Sequence, residues 1–357
     1  MPAAACTETE CIDLYASSKS GTVQQIPFAC RLVGFLSEWK RRADWSGGVK
    51  QHSKSAISGL DIALWDIKGK KLGVPIWQLL GGKVREKVKV YGWIGGDTPQ
   101  AVVEGATLRK EQGFTAVKMN GTGSLDWIDS PSKLSDAVER VRDVRALGLD
   151  VGIDFHGRVH KGMAKQLAKL LEPLQPLFIE EPLLPTQPEE IADLSRMVST
   201  PIALGERLYG RNDFRPYLER RAIDIAQPDV SHCGGISELH KLASLTETYD
   251  VALAPHSPIG PIALAACIQV DLTALNFVIQ EMSWQIHYNK GADLFTYVVD
   301  PSIFGVKDGY IQAPEGPGLG IEINEDLVRK ASASYIIEGK PWRNDVWHGP
   351  DHALREW

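Results

Sequence analysis

Eight short apolar runs recur along this chain, and most are followed by a longer stretch with helical spacing. They are Val88–Trp93, Ala116–Met119, Val151–Phe155, Leu177–Ile179, Ile202–Leu204, Ile223–Ala226, Val251–Ala254 and Phe277–Ile279. Runs this short read as buried strands, while stretches such as Met163–Leu171 and Pro188–Met197 read as helices. Strands that alternate with helices form a parallel sheet, because each strand is re-entered from the same end through a crossover. Eight such units predict an α/β fold closed into a TIM-like (β/α) barrel. Such a barrel takes about 250 residues, so a chain of 357 has room for a smaller second unit.

Ahead of the first strand, Ile57, Leu60, Leu64 and Ile67 predict an amphipathic helix, with Ser55 as its cap and Gly69 and Gly73 near its end. A short element follows at Ile76–Leu80, and residues 1 to about 50 give no clear element. Beyond Ile303 a tail carries the Gly/Pro-rich segment Pro314–Gly320 and is expected to fold back on the N-terminal part. The expected division is therefore 1–87, 88–302 and 303–357.

Barrels of this kind place their chemistry at the C-terminal ends of the strands. Here those ends carry Lys118 and Asn120, then Asp154 and His156, Glu180 and Glu181, Glu206, Asp229, His256 and Glu281. Asp154, Glu180 and Glu206 are spaced 26 residues apart, one strand–helix unit each, and so fall on adjacent strands. Three converging carboxylates would raise one another's pKa. A hard divalent cation relieves that repulsion, and all-oxygen ligands suit Mg²⁺. Neighbouring residues on a strand face opposite ways, which leaves Glu181 outside the ligand set as a supporting residue.

Asp229 and His256 fall on the next two strands. A carboxylate on one ring nitrogen fixes the tautomer and makes the other nitrogen more basic, which describes a general base. His156, two residues past Asp154, faces the same side as that ligand and is placed to donate a proton. Lys118 and Asn120 are expected to contact substrate. His160 and His232 have no such neighbours and read as structural or solvated, Cys233 as inert, and Trp65, Trp77 and Trp93 as core or interface residues. Gly92–Gly96 lacks the strand–GxGxxG–helix spacing of a nucleotide site.

Hydrophobic residues make up 43% and charged residues 24%, and the net charge is −6, so no basic patch invites nucleic acid. Cys6, Cys11, Cys30, Cys233 and Cys267 are scattered and odd in number, which suggests a reducing compartment. With no secretory pattern and no apolar run near ~18 residues, a cytoplasmic, non-membrane protein is expected.

Several longer stretches resemble the mandelate racemase group of the enolase superfamily. They begin at Ser55 (SAISGLDIALWDIKGK), Tyr91 (YGWIGGD), Asp154 (DFHGR), Ala254 (APHSPIGPIALAAC), Ile286 (IHYNKGA) and Pro314 (PEGPGLG), with Trp342-Arg343-Asn344 and the final Glu356-Trp357. The resemblance runs from about Ser55 to the end. It implies a modified barrel with an α+β N-terminal capping domain completed by the C-terminal tail, of which residues 1–50 look atypical and a few tens of residues short. It implies one Mg²⁺ per subunit held by Asp154, Glu180 and Glu206, proton abstraction by His256 tuned by Asp229, and departure of a hydroxyl aided by His156. Glu281 would stabilise the enediolate. Racemases of the group carry a second lysine where this chain has Asn120, which favours one-sided elimination of water. The implied activity is dehydration of an acid sugar, D-galactonate first and D-gluconate as the alternative, by a homo-oligomer. A racemase and a catalytically silent barrel are the remaining alternatives.

Overall fold

The computed structural model describes residues 50–95, 98–123, 125–258, 260–284, 293–338 and 351–353. The expectations for residues 1–49, for Gly96, and for the motifs at Ile286, Trp342 and the last two residues lie outside these.

Eight parallel strands alternate with helices: β1 (Lys87–Gly95), β2 (Ala116–Asn120), β3 (Asp150–Asp154), β4 (Phe178–Glu180), β5 (Ile202–Leu204), β6 (Ile225–Ala226), β7 (Ala252–Leu253) and β8 (Gln280–Met282). Their order is β7-β6-β5-β4-β3-β2-β1-β8. A parallel bridge from Leu253 to Phe277, with Leu253 N donating to Asn276 O and Val278 N to Leu253 O, closes the ring. The helices outside it include α3 (Pro99–Glu111), α4 (Pro131–Ala146), α5 (Lys161–Leu171), α6 (Pro188–Ser195), α7 (Arg211–Glu219), α9 (Gly235–Thr248) and α10 (Pro261–Asp271), with a one-turn α8 (Val230–Cys233) after β6. The strand cores match the sequence reading except at the eighth, where pairing with β1 falls on Gln280–Met282, three residues beyond the expected apolar run.

Two apolar layers hold the barrel. The larger lies between strands and helices. The smaller fills the interior with Tyr91, Ala116, Phe178, Ala203, Ile225, Ala254 and Ile279. Phe178 occupies the space beside Gly152, where a Cβ would stand only 2.5 Å from its ring. This plug forms the floor on which the polar strand ends stand.

The helix α1 (Lys50–Leu72) packs on α8 and α9. Two expectations about it need correction. Ser55 lies inside the helix, and its hydroxyl bonds His232 Nδ1 at 2.8 Å instead of capping. Gly69 is also internal. It lets the helix approach Gly318, whose Cα would be 2.7 Å from a Cβ there. The helix ends at Leu72, with Gly73 left-handed at φ 70. Buried Asp61 accepts from Ser237 N at 2.9 Å and buried Asp66 from Leu319 N at 2.8 Å, pinning α1 to both α9 and the C-terminal segment. Trp65 donates to Ser237 and Trp77 to Pro314 O, so both sit at contacts between segments. The strand β9 (Tyr310–Gln312) pairs antiparallel with β1.

Candidate active site

Strand register sets the floor plan. Asn120 pairs with Asp154, and Asp154 pairs with Glu180, so three polar residues form one row across β2, β3 and β4. Lys118 is level with Gly152, one pleat lower, and points up the barrel interior. Glu206 follows Gly205 just past β5. Asp229 and His256 face each other across a bridge beyond β6 and β7, and Glu281 pairs with Tyr91.

These side chains converge. Lys118 Nζ is 2.7 Å from Glu180 Oε1 and 3.0 Å from Glu281 Oε1, and 4.0 Å from Asp154. His256 Nδ1 is 2.8 Å from Asp229 Oδ2, while its Nε2 is 3.0 Å from Glu206 Oε2 and 3.8 Å from Glu281 Oε2. His156 Nδ1 is 3.1 Å from Asp154 Oδ2, and its Nε2 is 3.9 Å from Glu206 Oε1. The two imidazoles therefore approach one carboxylate from its two oxygens. Asp229 also caps α8, accepting from Ser231 N at 2.6 Å. Ser257 N donates to Glu281 Oε2 at 2.9 Å.

Asp154, Glu180, Glu181, Glu206, Asp229 and Glu281 are all buried or nearly so. Against them stand the cations Lys118 and Arg207 and the two imidazoles. Burial pushes Glu180 up to about 7 and Glu181 up to about 8, in both cases against the pull of a neighbouring cation. Glu206 is held well below the usual carboxylate range, its burial outweighed by His256. His256 is raised well above the usual histidine value, because Glu281 and Glu206 outweigh its desolvation.

So large an excess of buried carboxylate suits a divalent cation. Glu180, Glu206 and His256 each bring a donor atom within 4.8 Å of the others. Asp154 stands beside Glu180, and its oxygens meet the backbone N and Nδ1 of His156. Lys118 is surrounded by carboxylates, with the ring centroids of Trp93 and Tyr91 5.2 and 5.7 Å from its ammonium, whereas Asn120 is only partly buried at the end of β2.

The sequence reading passed over two residues. Gln227 donates its amide to Glu180 Oε2 at 2.8 Å. It precedes Asp229 by two, and strand parity could have flagged it. Arg207 joins Glu181 and Glu206 at 2.5 and 2.6 Å, so Glu181 supports the site through Arg207. His160 stacks on Trp127 with ring centroids 3.8 Å apart, and Cys233 is buried with its thiol 3.9 Å from Gly235 O.

A profile described as enolase C-terminal domain-like matches residues 101–327, and one for the mandelate racemase / muconate lactonizing enzyme N-terminal domain matches residues 30–81. The chain belongs to the mandelate racemase group of the enolase superfamily. The N-terminal match starts ahead of Ser55, where the quoted motifs begin. Among relatives, D-galactonate dehydratase of Pectobacterium atrosepticum is 51% identical over 306 residues, covering 85% of this chain and 79% of that protein. The enzyme of the same name from Variovorax paradoxus is 49% identical with the same coverage. An enolase from Agrobacterium radiobacter, whose crystal structure holds Na and L-malate, superposes with TM-score 0.79 at 31% identity, covering 97% of this chain and 89% of that one. Among the described residues, no helix of this family member is long and apolar enough to cross a membrane.

Proposed function

We propose that this chain is a hydro-lyase that converts D-galactonate to 2-dehydro-3-deoxy-D-galactonate and water. The observation that carries the reading is the pair of imidazoles on Glu206, each with its Nδ1 on an aspartate. Relatives named D-galactonate dehydratase at about half identity support the substrate, and L-malate in the Agrobacterium radiobacter structure is, like galactonate, a 2-hydroxy acid.

Asp154, Glu180 and Glu206 would hold Mg²⁺, since a hard cation selects oxygen and leaves His256 free for proton transfer. Bound there, the ion would neutralise these carboxylates and polarise the substrate carboxylate, which acidifies the α-proton. With Glu206 engaged by the ion, part of the pull that raises His256 would be relieved, and Asp229 keeps the proton of the neutral imidazole on Nδ1, so Nε2 presents its lone pair to the C2 proton. Glu281, fixed by Ser257 N and Lys118, faces the reacting carboxylate and steadies the enediolate. His156 delivers a proton to the 3-hydroxyl. The C2–H pair becomes the C2=C3 bond, the C3–O bond breaks, water leaves, and the enol tautomerises to the keto acid. Lys118 holds Glu180 and Glu281 in place, and Asn120 at the rim meets the sugar. We place the enzyme in the cytoplasm as a homo-oligomer acting on a small acid sugar, away from nucleic acid and membrane.

A panel of aldonic acids, with and without Mg²⁺ and assayed for 2-keto-3-deoxy acid, tests this. Metal-dependent product from D-galactonate supports the reading. Product from D-gluconate alone replaces the substrate, and exchange of the α-proton without loss of water on every acid would make the chain an epimerase.

A further inference from the structure

The guanidinium of Arg207 reaches three groups that the reaction scheme treats separately. Its Nη1 lies 2.5 Å from Glu181 Oε2 and 2.6 Å from Glu206 Oε1, and its Nη2 donates to His156 O at 3.3 Å. His156 and Glu181 both have left-handed backbone, at φ 54 and φ 44. Both lie just past a strand-end carboxylate, Glu181 directly after Glu180 and His156 two residues after Asp154. For a residue with a Cβ this conformation is strained and persists only where surroundings hold it.

Arg207 is well placed to hold both. It takes the carbonyl of one strained residue and the carboxylate of the other, and Gly157 N donating to Glu181 O at 2.8 Å ties the two turns together. It also grips Glu206 Oε1, the oxygen that His156 Nε2 approaches. The opposite imidazole has separate support. His256 stands on Asp229 through a side-chain bond and a backbone bridge, and it meets Glu206 at Oε2, whereas Arg207 grips Oε1. The planar fork of arginine can bind at several points at once, which a lysine point charge cannot reproduce.

We propose that Arg207 is a positioning residue for His156, setting the direction of the proton-donating imidazole far more than that of the proton-abstracting one, which rests on Asp229. The assignment rests on the dehydratase reading above. It predicts a split between two measurable steps. His256 alone suffices to exchange the α-proton with solvent, whereas loss of water also needs the proton from His156.

The test is D-galactonate in deuterated buffer with Mg²⁺, following deuterium at C2 of recovered substrate and formation of keto acid. Arg207→Met is expected to slow dehydration roughly tenfold or more, part of the 10²–10⁴ that a lost general acid costs, while C2 exchange persists. The ratio of exchange to dehydration therefore rises. Arg207→Lys is expected to restore part of it, and Arg207→Gln repeats the comparison if the Met variant does not fold. Equal loss of both steps, or of neither, overturns the assignment. A wild-type chain inert on both counts instead removes the dehydratase reading beneath it.

Discussion

The ammonium of Lys118 sits 2.7 and 2.8 Å from the two carboxylate oxygens of Glu180, deep enough that neither side chain meets solvent. A buried pair broken on one side leaves an uncompensated charge, at a cost of about 3–5 kcal/mol. Lys118→Met is therefore expected to lower stability by about that amount in metal-free protein. The measurement is urea unfolding at pH 8, above the value of about 7 to which burial pushes Glu180 with Lys118 beside it. Mg²⁺ should stabilise the variant more than the wild type, since it supplies the missing positive charge. Equal stabilisation would mean that the ion does not replace the Lys118 charge, and no stabilisation of either protein would speak against a cation among these carboxylates.

The short contact of Asp229 with His256 makes a second prediction. His256→Asn is expected to reduce turnover by roughly 10²–10⁴-fold or more, as for a lost general base, and to abolish C2 exchange. Asp229→Asn should lose activity while retaining metal binding, because it disturbs the tautomer and not the oxygen ligands. Near-native turnover in the His256 variant would remove it from the reaction.

Strand ends were legible because a barrel leaves its strands buried on both faces, so apolar runs mark them. The eighth strand shows the limit of that signal. Its paired residues Gln280 and Glu281 are polar yet buried: the Gln280 amide nitrogen donates to Pro255 O and Glu281 meets Ser257 N and Lys118, while Ile279 of the apolar run joins the interior layer. Ser55 was misread as a cap because a serine before an apolar pattern looks the same whether it starts a helix or lies within one. Of the site, the carboxylates and imidazoles could be read from spacing. Gln227 shares the strand parity of Asp229, but Arg207 carries no such signal, because its value lies in which ligand it touches and an arginine beside a glutamate is ordinary in any sequence.

Asp271, at the end of α10, predicts a pH effect away from the site. Both its oxygens are buried without a hydrogen-bond partner, and burial raises its carboxyl well above the usual range despite Arg85. Cys267, one turn earlier and also buried, adds no cation. A carboxyl raised on folding binds its proton more tightly in the native state. Its stabilising contribution is complete below the unfolded value, about 3.9, and is lost as pH rises through the folded value. Asp271→Asn is expected to flatten the fall in Tm that sets in as pH rises above about 3.9. An unchanged slope across the titration would show that the carboxyl does not carry it.

Below the site, Gly152 and Phe178 occupy one volume. A Cβ on Gly152 would stand 2.5 Å from Phe178 Cζ, and the ring also packs on Tyr91 with centroids 5.9 Å apart. Gly152→Ala forces the ring aside and should cost about 1–3 kcal/mol by overpacking. Phe178→Ala should cost about 3–5 kcal/mol by opening a cavity under the carboxylates. The two changes compensate in volume, so the double variant should lose less than the two single losses combined. Denaturant unfolding of all four proteins measures this coupling, and strict additivity would mean that the ring does not depend on the glycine for its place. Coupling together with weakened Mg²⁺ binding in Phe178→Ala would show that the apolar floor sets the height at which Glu180 meets its neighbours.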